Sequence, residues 1–126
     1  MAQVAILKRE PAAAEATVTT AIDRRHLTRM TFGDRSLERE VLELFDRQAV
    51  MLIGRIRAGT PAAIASLAHT LKGSAAGIGA GSVARSADAA EIAAGGSAAE
   101  CSAAIDSLVQ AVDEARALIA ELLREA

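Results

Sequence analysis

The chain has 126 residues, 52% of them hydrophobic and only 2% aromatic, so one domain with a single core of Ala, Leu, Ile and Val is expected. The formal net charge is −2, and no long basic run or basic–aromatic interleaving occurs, which argues against nucleic acid as a partner. Cys101 is the single cysteine, which excludes an internal disulfide and a Cys/His zinc spacing, and no apolar run approaches the roughly 20 residues that span a bilayer.

Richness in Ala and Leu, with two prolines and few β-branched runs, predicts an all-α fold. Residues 1–20 lack a sustained period and are expected to form a flexible tail, with the helical domain spanning residues 21–126. The run Val4-Ala5-Ile6-Leu7 is too short for a signal-peptide core, and Lys8 and Arg9 follow it rather than precede it, so a cytoplasmic protein is expected.

A short first helix is predicted from about Ile22 to Thr31, with Ile22, Leu27 and Met30 facing inward. Gly33-Asp34 should end it, and Asp34 or Ser36 should cap a long second helix running to about Ala58. The inward positions of that helix are read as Leu37, Val41, Leu44, Phe45, Gln48, Leu52 and Ile56. In Gly59-Thr60-Pro61, Gly59 suits a C-terminal cap, Thr60 an N-cap and Pro61 a first helical position. A third helix then runs from Pro61 to Ile78. Gly79-Ala80-Gly81-Ser82 forms a turn, with Gly81 or Ser82 capping a fourth helix to about Ala94. Gly95-Gly96-Ser97 ends that helix and caps a fifth, from Ala98 to Arg124, with Cys101, Ala104, Ile105, Leu108, Val112, Ala115, Ile119 and Leu122 inward. Connections of a few residues make neighbours antiparallel, giving an up-down four-helix bundle with the short N-terminal helix as a lid. His26 and the arginines Arg24, Arg25 and Arg29 read as surface residues.

His69 is the candidate reactive residue. The third helix buries the stripe Ile64, Leu67, Ala68, Leu71, Ala75 and Ile78, and at about 100° per residue His69 points roughly 140–160° away from it. Ala65, Ser66, Gly73, Ala76 and Gly77 surround it, so an outward imidazole stands among the smallest side chains, open to a large partner. A neutral imidazole nitrogen is nucleophilic near neutral pH and can accept a phosphoryl group and pass it on. Lys72, one turn along, can reach phosphate oxygens as a point charge. Gly73, also a turn along, gives steric clearance; a glycine inside a helix costs about 1 kcal/mol relative to Ala, so its placement needs a reason. Close helix packing through Gly73 and Gly77 is the competing explanation.

His69-Thr70-Leu71-Lys72-Gly73-Ser74-Ala75, followed by Ile78-Gly79-Ala80, resembles the phosphorylation motif of histidine phosphotransfer (Hpt) domains. The resemblance covers roughly residues 22–125. It implies a phosphorelay intermediate: His69 would accept a phosphoryl group at Nε2 from a receiver-domain aspartyl-phosphate and pass it to an aspartate of another receiver. It further implies docking of response-regulator receivers, or of a hybrid histidine kinase, around Ala65, Ser66, Lys72, Gly73, Ala76 and Gly77. Glu91 falls where the family places an acidic or amide residue near the histidine, and Arg85 is a candidate for a supporting electrostatic role. Mg²⁺ is expected on the receiver; no metal site or other cofactor is expected on this chain. A monomer is expected, because the bundle can bury its own apolar stripes and a second copy over His69 would obstruct it, and no ATP-dependent kinase activity is expected, because no Gly-rich nucleotide loop is present. Two other readings remain: a phosphoacceptor domain of a chemotaxis-type kinase system, and a helical adaptor whose His69 is never modified.

Overall fold

A computed structural model describes residues 21–125; the predicted tail at 1–20 lies outside the described residues. Five helices account for nearly all of that span: α1 (Arg24–Met30), α2 (Arg35–Arg57), α3 (Pro61–Ile78), α4 (Gly81–Ala93) and α5 (Ala98–Arg124). No strand occurs among the described residues. The pairs α2–α3, α3–α4, α4–α5 and α2–α5 are in contact, which closes the four long helices into a ring, and α1 packs on α3. The short links between successive long helices make each run antiparallel to the one before it.

Local sequence sets the helix starts. Asp34 caps α2 through Leu37 N–H, and Thr60 caps α3 through Ala63 N–H with Pro61 in the first turn. Ser97 and Glu100 form a reciprocal capping box on α5. Two cap expectations fail. Ala80, not Gly81 or Ser82, precedes α4, and it has no side chain that can cap. Ala58 closes α2, while Gly59 stays outside the left-handed region.

The core is aliphatic, as the composition requires: Leu27, Leu42, Ile56, Leu71, Leu108 and Ile119 are among its fully enclosed side chains. In α2 the buried residues are Leu42, Phe45, Ala49, Leu52 and Ile56, a regular alternation of three and four. Leu44, expected inward, lies about 120° from that stripe and is exposed. Met30 is exposed as well, because a two-turn α1 buries only Leu27, with Ile22 covered just ahead of it. Leu67, Cys101, Ala104 and Ile105 are half-buried at the edge of the core. Across the ring, Arg116 Nε donates to Asp46 at 2.8 Å and Arg39 Nη1 donates to the Leu123 carbonyl at 2.7 Å, tying α5 to α2.

The end of α3 is closed by α1. Gly79 adopts φ +82°, and Ala80 N–H returns to the Ala75 carbonyl, a left-handed stop that satisfies carbonyls at the helix end. Asp23 N–H donates to the Gly79 carbonyl at 2.8 Å, and His26 Nε2–H donates to the Gly77 carbonyl at 3.1 Å. His26 is therefore a structural capping residue and not the idle surface histidine expected from sequence. A Cβ on Gly79 would stand 2.9 Å from the Asp23 carbonyl oxygen. Gly79→Ala is accordingly expected to lower stability by about 1–3 kcal/mol in urea unfolding, combining left-handed strain with a backbone clash.

Candidate functional site

His69 sits in the middle of α3 with its side chain 66% exposed. The buried stripe of α3 forces this position: Ile64, Ala68, Leu71, Ala75 and Ile78 face the core, so residue 69 must face solvent. Ser66, Gly73 and Ala76 are exposed around it, and Ala65 and Gly77 are half-buried. The predicted ring of small residues thus lies on one open face. A Cβ added at Gly73 or at Gly77 would meet no atom within 4 Å. Close packing at the Cβ position therefore does not explain the missing side chain at either glycine.

α4 runs antiparallel beside α3 and brings two acids to this face. His69 Nδ1 lies 3.2 Å from both Oε1 and Oε2 of Glu91. Lys72 Nζ donates to Asp88 Oδ1 at 2.9 Å and lies 3.3 Å from Glu91 Oε1. The result is a chain of contacts from Asp88 through Lys72 and Glu91 to the ring. The hydrogen bond from His69, and next that from Lys72, holds the Glu91 carboxyl below the usual carboxylate range. Hydrogen bonds to Asp88 and then Glu91 hold the Lys72 ammonium above the usual lysine range. All four side chains are partly or largely open to water, so their geometry matters more than their pairing energy.

An ionised carboxylate only accepts hydrogen bonds. Glu91 therefore fixes the neutral ring as the Nδ1–H tautomer and leaves the lone pair on Nε2. Nε2 has no hydrogen-bond partner among the described residues. The arrangement presents an oriented nucleophile to solvent, with a carboxylate placed to stabilise positive charge on the ring. Lys72 has three N–H donors, gives one to Asp88 and stands as an ion pair beside Glu91, which leaves it a donor for an incoming anion.

Two candidates change standing. Glu91 touches the ring directly. Arg85 does not join the network: its hydrogen bond goes to Ser82 Oγ at 3.4 Å, near the start of α4. Asp88 was missed from the sequence. Its signal was the spacing of Asp88 and Glu91, three apart on α4, which matches His69 and Lys72, three apart on α3. Among the described residues no group of three or more His, Cys, Asp or Glu could hold a metal ion, and no helix is long and apolar enough to cross a membrane.

The sequence model of the Hpt domain family matches residues 37–124, a span holding all of α3, α4 and α5, nearly all of α2, and the whole network around His69. No curated protein and no solved structure matches the chain.

Proposed function

This chain belongs to the Hpt domain family, and from that premise we propose that it is a phosphorelay intermediate whose phosphoacceptor is His69. Hpt domains carry phosphoryl groups in phosphorelays and interact with receiver domains. The observation that carries the assignment to His69 is the pairing of its Nδ1 with Glu91, which leaves Nε2 unpartnered on an open face.

The proposed chemistry balances without a free proton. The Nε2 lone pair attacks the phosphorus of a receiver's aspartyl-phosphate. The P–O bond to the aspartyl oxygen breaks, and the carboxylate leaves with the electron pair. The ring then carries phosphate on Nε2 and a proton on Nδ1, so positive charge develops beside Glu91, which stabilises it. Keeping that proton on Nδ1 also makes the ring a good leaving group. An aspartate of a second receiver attacks the phosphorus, the N–P bond breaks, and the lone pair returns to Nε2. Lys72 offers its remaining donor to the phosphoryl oxygens as their charge spreads in the loose transition state. The Mg²⁺ that assists the transfer belongs to the receiver. In this reading phosphate enters from a phosphorylated protein donor.

Gly73 separates clearance from packing. Because nothing lies within 4 Å of its added Cβ, Gly73→Ala is expected to raise stability by about 1 kcal/mol in urea unfolding. Gly73→Leu should fold and lose receiver binding by titration calorimetry; normal binding would refute the clearance role.

The test of function is a screen of phosphorylated receivers for exchange with this chain. Acid-labile, alkali-stable label on His69 supports the reading. Label that arrives only from an ATP-dependent kinase core would favour the chemotaxis-type alternative, and no label from either source would leave a helical adaptor.

A further inference from the structure

α1 does more than close the end of the bundle. With the last turn of α3 and the start of α4 it walls an open groove of about 750 Å³, whose lining includes Asp23, Arg24, Arg25, His26, Ala76 and Arg85. Several of these groups are already engaged. The Asp23 carboxylate accepts from the backbone N–H groups of Arg25 and His26, and Arg24 pairs with Glu125 at 3.4 Å. Arg25 has no carboxylate partner among the described residues, and Arg85 reaches only the neutral Ser82 hydroxyl. Among the described residues neither guanidinium is paired with a carboxylate, and with Arg24 taken up by Glu125 the groove sets Arg25 and Arg85 against the single Asp23 carboxylate, a net positive charge in a chain whose own net charge is −2.

The groove adjoins the face of His69. Ala76 lines it and is exposed beside Gly77, whose carbonyl His26 holds. Gly77 is eight positions past His69, roughly 12 Å along the helix axis. A docking interface takes about 800 Å² from each partner, a patch roughly 16 Å in radius. Centred on His69, such a patch reaches the groove. Immediately around His69 the charges are Asp88, Glu91 and Lys72, which sum to −1. A receiver brings carboxylates of its own, the phosphoacceptor aspartate and the acids that hold its Mg²⁺. At the centre alone, like charge would oppose docking.

We propose that the groove between α1 and α4 is the electrostatic selectivity contact for the docking receiver, with Arg25 and Arg85 binding an acidic segment of the partner beside the transfer site. The inference rests on the reading of His69 as the receiver-facing phosphoacceptor. Charges at the rim of an interface act on association and on the choice of partner more than on the bonds made and broken at its centre. Arg25 and Arg85 are specificity residues in this sense and do not touch the phosphoryl group.

The probe is the Mg²⁺-loaded phospho-receiver that exchanges phosphate with the wild-type chain. With Arg25→Ala/Arg85→Ala, the KM for that receiver is expected to rise roughly tenfold at low salt while kcat holds near the wild-type value. The difference should shrink as ionic strength rises and the Debye length falls below about 8 Å. Arg57→Ala, an exposed arginine at the opposite end of the bundle, should leave KM unchanged. An unchanged KM and salt dependence in the double variant would overturn the inference and leave His69 chemistry standing. So would an equal loss in the Arg57 variant, or a salt-independent rise accompanied by a lower melting temperature. If no receiver exchanges phosphate with the wild-type chain, the underlying reading fails and this one fails with it.

Discussion

His69→Gln is expected to abolish phosphoryl transfer from a phospho-receiver while helicity and melting temperature stay at wild-type values. The loss is complete because the amide of glutamine is not a nucleophile at neutral pH, and no neighbouring group offers a lone pair at the same place. The fold is spared because the side chain is 66% exposed and its polar contact, to Glu91, lies at the surface; changes of this kind are usually within about 0.5 kcal/mol. The measurement is label transfer on a gel beside a circular-dichroism melt of the same sample. Wild-type label in the variant would place the phosphate elsewhere and remove the central claim.

Glu91→Gln is expected to slow transfer by about 10- to 100-fold, by analogy with carboxylates that orient metal-ligating histidines. Gln can accept from Nδ1–H through its oxygen or donate to a bare Nδ1 through its nitrogen. The tautomer is then no longer fixed, and a share of molecules present Nε2–H, which cannot attack. The variant also lacks the charge that faces the phosphorylated ring. Lys72→Ala should slow transfer less, because it removes a brace and one donor but leaves Glu91 against the ring. Single-turnover rates for wild type and both variants, with matching melts, check the order; equal rates in wild type and Glu91→Gln would remove the orienting role.

The pH behaviour follows from the same contacts. Glu91 has a folded-state pKa below its unfolded value. Its contribution is complete above the unfolded value and disappears as pH falls through the lowered one. Lys72 is the mirror case: its contribution is complete below the unfolded lysine value and disappears as pH rises through the raised one. Across neutral pH both stay charged, so neither ionisation should shape the rate there.

Much of the architecture was legible in the chain because helix boundaries are local chemistry. Thr60-Pro61, Asp34 and the Ser97–Glu100 pair mark their helix starts whatever packs against them. The direction of His69 was equally legible, since the apolar stripe of α3 leaves residue 69 only one side on which to stand. The inward face of α2 was read less well. Leu44 is as apolar as Leu42, and only packing in the ring shows that 42, 45, 49, 52 and 56 form the stripe.

Sequence by itself determined that the chain is helical, where α2, α3 and α5 begin, and that one histidine of α3 faces water amid small residues. Tertiary structure alone decided what that histidine touches. The register of α4 against α3 set Glu91 on Nδ1 and Asp88 on Lys72, and the seat of α1 on the end of α3 gave His26 its task and Arg25 and Arg85 a shared groove. The physical reason is range. Caps and periodicity act over a few residues of one helix, whereas these contacts join groups 16 to 51 positions apart, whose separation in space is fixed only when the whole core packs.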